Sequence, residues 1–178
     1  MTGKNRAKGF FMTALLLSCL FSLAGASSLD SRTFKYKLVP STQSSGTLTI
    51  YFAETEGADE TDRIQDNKLT WTDADIADSP HYYLNVSGDI NYSISISFSA
   101  FENTQETQSV FYDAAAADTS GTITQKSVSV NDSADSFSLL FDNINAGEKK
   151  EFKISYSNFH PLVPDTYTST VTVEVNPA

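Results

Sequence analysis

Residues 91–100 read NYSISISFSA, and this stretch decides the fold class. Apolar residues occupy its even positions, from Tyr92 to Ala100, while asparagine and four serines occupy its odd positions. Successive side chains of a strand point to opposite faces, whereas a helix would scatter this pattern around its circumference. The stretch therefore predicts a β-strand with one buried and one polar face.

The same alternation recurs along the chain. It is clear at Phe34/Tyr36/Leu38, Leu48/Ile50/Phe52, Tyr82/Leu84/Val86, Phe137/Leu139/Phe141, Phe152/Ile154/Tyr156 and Tyr167/Ser169/Val171/Val173/Val175, and weaker over 69–72, 108–112 and 122–130. About nine or ten strands with one wet face each are typical of antiparallel sheets packed together. We therefore expect an all-β fold, an antiparallel immunoglobulin-like β-sandwich.

The segments between the strands carry turn and loop signals. Ser87-Gly88-Asp89 separates two alternating runs and predicts a tight hairpin, and further turn signals at 145–147 and 163–165 separate the last three strands. Residues 109–117 contain four alanines that favour a helix, but the preceding Val-Phe-Tyr favours a strand followed by a loop. Residues 54–67 predict a long, acidic, mobile insertion.

The N-terminal 26 residues have the three-part order of a secretory signal peptide. Three basic residues precede an apolar stretch, and Ala-Gly-Ala at 24–26 forms a small-residue cleavage site. Cys19 offers an alternative, a lipoprotein anchor, but the apolar run continues beyond it. Cleavage after Ala26 would leave one domain, residues 27–178, that is secreted, periplasmic or at the cell surface.

Composition excludes several partners and structural classes. The chain has 178 residues with 12 basic and 22 acidic side chains, and the mature part would keep nine basic ones, a net charge of −13. Binding to nucleic acid needs a basic face, so we expect none. No apolar run reaches the roughly 18 residues of a membrane span, and the aromatic content is too high for a disordered chain.

An acidic stretch suggests a calcium site. Asp73, Asp75 and Asp78 follow the weak strand that carries Trp71, and calcium takes six to eight oxygen ligands that one loop can partly supply. The alternative is a solvated acidic loop that keeps an exported protein soluble. Calcium is the only cofactor that the sequence suggests.

Aromatic residues suggest a sugar-binding platform. Trp71, Tyr51, Tyr82 and Tyr83 combine flat apolar faces with polar edges, which suit sugar rings on a sandwich surface. The alternative places Trp71 in the core.

Catalytic motifs are absent from the sequence. The two histidines, His81 and His160, are expected at the surface, and there is no nucleophile elbow, metal-protease motif or mature cysteine. We therefore expect no enzymatic activity. Triplets starting at Asn85, Asn91 and Asn131 match the glycosylation pattern, which is informative only in a eukaryotic secretory pathway.

Two stretches carry a resemblance to a known family. LNVSGDINYSISISF at 84–98 and PDTYTSTVTVEV at 164–175 resemble bacterial exported sandwich domains of the pilin type, in particular the spore coat protein U and Csu fimbrial group. The resemblance implies an immunoglobulin-like sandwich completed by a strand from a neighbouring subunit or chaperone. It transfers no catalytic or binding residue.

The first alternating segment bears on that implication. Phe34, Tyr36 and Leu38 have the pattern of a donated strand, but they serve equally as the first strand of the same domain, which we favour because the chain has enough strands of its own. Lys35 and Lys37 alternate with them and protect an edge. We expect a structural or adhesive surface protein, a pilin-like or surface-assembly subunit whose partners are envelope or extracellular proteins or further copies of itself. The alternative is an extracellular module that binds calcium or carbohydrate.

Overall fold

The structure is a computed structural model that describes residues 28–38, 46–71, 78–103, 108–131, 137–160 and 165–177. The predicted signal peptide, with Cys19, lies outside these residues. So do Asp73 and Asp75 of the predicted calcium site.

In the residues that the structure describes, twelve strands form two sheets, which confirms the predicted all-β sandwich. The strands are β1 (Ser28–Leu38), β2 (Leu48–Ala53), β3 (Lys68–Trp71), β4 (His81–Gly88), β5 (Tyr92–Phe98), β6 (Phe101–Asn103), β7 (Ser109–Val110), β8 (Tyr112–Asp118), β9 (Lys126–Val130), β10 (Phe137–Ile144), β11 (Lys149–Ser157) and β12 (Thr166–Pro177). Sheet A has the order β10-β5-β12-β1-β3, with β6 and β7 joined through β12, and sheet B has the order β2-β4-β11-β8-β9. The only helices in the described residues are two short 3-10 turns, Glu60–Asp62 and Gln65–Asn67.

Strand β5 shows why the alternating pattern forms the core. It lies between β10 and β12, and Ile96 is in register with Leu139 on one side and Val173 on the other. All three side chains are buried in one apolar cluster that includes residues of both sheets. The alternate serines of β5 are half-buried on the outer face of sheet A. The even positions of the stretch that decided the fold class therefore supply the core, as expected.

Strand β1 pairs within the chain, as we favoured from the sequence. It lies between β12 and β3, parallel to the first and antiparallel to the second. Its backbone register places Tyr36 beside Val173 and Lys37 beside Glu174. Sheet A therefore contains one parallel pair among its antiparallel ones. The edge role of Lys35 and Lys37 stays a prediction, because β3 pairs only with residues 29–33 of β1 and the part of β1 that carries the lysines pairs with β12 alone among the described residues.

The predicted hairpin at 87–89 is wrong. The turn does join β4 to β5, but β4 belongs to sheet B and β5 to sheet A, so the chain crosses the sandwich here. Gly88 packs closely against β2 and the residue before it, because a Cβ there would press on the end of the Leu48 side chain and lie 3.0 Å from the carbonyl oxygen of Thr47. Its carbonyl accepts a hydrogen bond from the backbone N–H of Gly147 (2.7 Å), in the turn where the chain crosses back between β10 and β11.

The alanine run at 114–117 is neither helix nor loop. It continues β8, with Ala114 and Ala116 fully buried and their neighbours half-buried. Pairing with β9 and β11 on either side outweighs the intrinsic helix preference of alanine.

Candidate functional site

The four aromatic residues of the predicted sugar platform are all buried. Trp71 and Tyr82 lie in the core, where both contact the ring of Tyr156, and the hydroxyls of Tyr82 and Tyr156 are 2.6 Å apart. Tyr51 and Tyr83 are buried on the other face of sheet B. The core interpretation of Trp71 is confirmed, and the prediction of an exposed platform is wrong, because the strand alternation and an overlying loop cover all four rings.

Of the predicted calcium ligands, the structure describes one. Asp78 is exposed and lines a cleft of about 260 Å³ together with Glu54, Trp71 and His81. Within the described ranges, no three acidic, histidine or cysteine side chains are grouped so as to hold a metal ion. The calcium site at Asp73, Asp75 and Asp78 stays a prediction.

Both histidines are exposed at the ends of strands. Nδ1 of His81 lies 3.3 Å from the carbonyl oxygen of Ser79, and its ring meets the edge of Tyr83. The ring of His160 packs edge-on against Phe111. Among the described residues neither ring hydrogen-bonds to a carboxylate or a hydroxyl.

The acidic insertion is folded against the domain at two places. Its second half closes part of the free edge of β2, where the N–H of Ile64 donates to the carbonyl of Phe52 (2.7 Å) and Ile64 enters the core. Its first half, residues 54–59, is here called the cover segment. It lies against the outer face of sheet B through a hydrogen bond from Tyr51 Oη to the carbonyl of Ala58 (2.8 Å). A second bond runs from the Gly57 N–H to Oε1 of Glu151 (2.9 Å).

The turn of the cover segment depends on Gly57. Its φ of 71° lies in the left-handed region that favours glycine. This conformation lets the chain reverse over the sheet, with Ala58 buried beneath it and residues 54–57 exposed.

Four residues form what we call the outer-face recess: Tyr51, Tyr83, Asn85 and Glu151. Asn85, on β4, is in register with Tyr51 on β2 and with Glu151 on β11, so the three lie in one row across sheet B. Tyr83 precedes Asn85 by two positions on β4 and so faces the same side. The neighbours Leu84 and Val86 point the other way, into the core.

The side chain of Asn85 is the anomaly of the recess. It is 0% exposed, yet neither its Oδ1 nor its Nδ2 has a hydrogen-bond partner among the described residues. A buried polar group left without a partner costs about 1–3 kcal/mol, so native proteins rarely keep one without a reason. Asn85 is also too deeply buried to accept a glycan at the triplet that begins with it.

Charge around the recess is mixed, because Glu56 and Glu151 lie near Tyr83 while Nζ of Lys149 lies 6.0 Å from the centroid of the Tyr51 ring. Burial first, and then the charges of Glu56 and Glu151, raise the pKa of the Tyr83 hydroxyl. Glu151 is half-buried, and its carboxylate accepts hydrogen bonds from the Gly57 N–H and the Thr119 hydroxyl. In the part of the chain that the structure describes, no cation pairs with Glu151. Its carboxylate is therefore held by uncharged donors.

Next to this row, Asp118 organises the turn between β8 and β9. It is buried, and it accepts hydrogen bonds from the hydroxyls of Ser120 (2.6 Å) and Thr122 (2.6 Å) and from three backbone N–H groups. Burial alone would raise the pKa of Asp118, but these hydrogen bonds and the charge of Lys150 at 3.8 Å together lower it. With all these partners, Asp118 is a structural residue of this turn.

Sequence reasoning missed Asn85 as a site residue. The available signal was an amide at the outer-facing position between Leu84 and Val86, inside a run otherwise rich in apolar residues. The cover segment, which hydrogen-bonds to Tyr51 and Glu151 on either side of Asn85, lies 26 or more residues earlier in the chain, and alternation cannot reveal such contacts.

No family model and no curated protein sequence matches this chain. Among the residues that the structure describes, no helix is long and apolar enough to cross a membrane.

Proposed function

We propose that this protein is an exported structural or adhesive subunit of a cell-surface assembly, and that its copies join by exchanging strand β1. The observation that carries the proposal is the position of β1. The first strand of the chain does not flank sheet A but lies inside it, between β12 and β3.

The geometry of this position favours exchange between copies. Without β1, the long strand β12 and the short strand β3 would each present an unpaired edge, and an edge of this kind pairs readily with another chain. The β1 of a second copy has the same sequence and would pair with β12 and β3 in the same register. Exchange would therefore cost little free energy. The apolar residues Val171, Val173 and Val175 of β12, all fully buried, would line the vacated position.

The resemblance of residues 84–98 and 164–175 to pilin-type exported domains gives independent support. Residues 84–98 contain the end of β4 and all of β5, and residues 164–175 contain most of β12. Strands β5 and β12 pair with each other. The chain's expected export fits the same role.

The test is light scattering after size-exclusion chromatography of residues 27–178, with and without a labelled synthetic peptide of residues 29–40. We expect concentration-dependent oligomers that incorporate the peptide, because a free β1 competes for the same position. A monomer at every concentration that never takes up the peptide would refute strand exchange.

A matched pair of variants tests the register. Tyr36→Ser alters the position beside buried Val173, whereas Lys37→Ser alters the next one, beside half-buried Glu174. In peptides of residues 29–40, we expect the first substitution to abolish incorporation and the second to preserve it. Equal incorporation of both peptides would mean that the pairing of β1 does not depend on this register.

A further inference from the structure

The outer-face recess contains a side chain that is prepared for hydrogen bonds it does not make. The amide of Asn85 offers two N–H donors and one carbonyl acceptor, and all are buried without a partner. A group that satisfies them must both accept and donate. A bare cation would serve only the carbonyl and an anion only the N–H groups, whereas a hydroxyl serves both.

The residues around Asn85 narrow the chemical class of the ligand further. Tyr51 lies beside it in register and Tyr83 lies two positions away on the same strand, so two aromatic rings flank the amide. Aromatic rings pack well against the apolar faces of sugar rings. Glu151 in the same row and Glu56 close to Tyr83 can accept further hydroxyl donors, and Lys149 near the Tyr51 ring offsets part of their charge, which suits an uncharged ligand.

The position of the recess argues against a peptide added as a strand. Asn85 lies on β4, which already has β2 on one side and β11 on the other. Its backbone is therefore engaged in the sheet, and a ligand can reach only the face.

We propose that the outer-face recess is a saccharide-binding site that the cover segment closes, with the Asn85 amide hydrogen-bonding to a pair of adjacent hydroxyls of an uncharged sugar. Oδ1 accepts from one hydroxyl, Nδ2 donates to the next, and Tyr51 and Tyr83 border the ring. The cover segment must lift before the sugar enters. Two hydrogen bonds hold it, Tyr51 to Ala58 and Gly57 to Glu151, and they are few enough to break and reform.

The first experiment applies the labelled mature protein, residues 27–178, to an array of neutral oligosaccharides, and titrates any glycan that is bound by calorimetry. We expect Asn85→Leu to lose roughly tenfold or more in affinity, because two hydrogen bonds disappear. Its melting temperature should be no lower than that of the wild type, since an unpartnered amide is removed. Asn145→Leu, at an exposed position in the turn before β11, is the control and should bind as the wild type does.

A kinetic measurement tests the movement of the cover segment. Tyr51→Phe keeps the ring and removes the hydrogen bond from the hydroxyl to Ala58. The association rate of the glycan, measured by surface plasmon resonance, should therefore rise. A merely structural role of Tyr51 would leave that rate unchanged.

Three outcomes would overturn the proposal. They are a wild-type protein that binds no glycan on the array, an Asn85→Leu variant with wild-type affinity, and a Tyr51→Phe variant whose association rate does not rise. If no glycan binds and an ordered water molecule satisfies Asn85 in a crystal structure, the recess is a buried hydration site only.

Discussion

Tyr92 gives the fold a measurable weakness at alkaline pH. It begins β5, its side chain is 1% exposed, and its hydroxyl shares its one proton between the carbonyl oxygens of Val86 (3.4 Å) and Glu148 (3.3 Å). Burial first, and then the charge of Glu148, raise the pKa of Tyr92 to about 12. In the unfolded chain the same hydroxyl has the ordinary tyrosine pKa of about 10.

The difference between the two states fixes the size and direction of the effect. Two pKa units correspond to about 3 kcal/mol. Below pH 10 both states are protonated, and this contribution to stability is fully present. As pH rises from about 10 through about 12, the unfolded state ionises first and gains stability relative to the folded state. The contribution is therefore lost across that window.

The perturbation is Tyr92→Phe, compared with wild type by urea denaturation at several pH values between about 7 and 12. At neutral pH the variant should be less stable by about 1 kcal/mol, because two long hydrogen bonds are lost. Near pH 12 the order should reverse, since the variant has no hydroxyl to ionise. Glu148→Gln should shrink the wild-type loss, because it removes the second cause of the raised pKa.

The result that would refute this reasoning is a constant difference between wild type and Tyr92→Phe across the whole range. The other tyrosines ionise in both proteins, so they cancel in the difference. A constant difference would mean that the Tyr92 hydroxyl titrates alike in the folded and unfolded chains.

Three further predictions concern single side chains. Ser169 is 4% exposed with an unpartnered hydroxyl, so Ser169→Ala should raise the free energy of unfolding by about 1 kcal/mol in urea; a decrease would contradict the assignment. Asp118 has a lowered pKa, so its contribution is present above about pH 4 and lost as pH falls further. Asp118→Asn should therefore destabilise the protein at neutral pH by about 2 kcal/mol and converge with wild type in acid thermal melts. Lys126 donates to the carbonyl of Leu140 on edge strand β10, so Lys126→Ala should increase light scattering over time, and unchanged scattering would count against edge protection.

Most strands could be predicted from the sequence because they bury a single face. Where alternation is long, as in β5 and β12, the predicted and observed strands agree closely. Strand β6 has only three residues, Phe101–Asn103, and no pattern of that length can be distinguished from a loop.

The pairing of strands could not be predicted in the same way. A turn such as Ser87-Gly88-Asp89 has the same local chemistry whether its strands pair or cross to opposite sheets. The choice depends on distant contacts, here Gly88 against Leu48 and Gly147. The candidate recess escaped prediction for the same reason, since Asn85 becomes unusual only once residues 54–59 cover it.

The two proposals concern opposite sides of the sandwich and can be tested separately. Strand β1 belongs to sheet A, whereas the outer-face recess lies on the face of sheet B that points away from the shared core. A neighbouring copy that exchanges β1 would therefore not block the recess. For the same reason, Asn85→Leu should not change the oligomers seen by light scattering. An assembly joined through β1 would present one recess per subunit, so weak binding of a single sugar would be multiplied along a surface that displays many copies of it. Glycan binding that strengthens with oligomer size and disappears in Asn85→Leu would connect the two proposals.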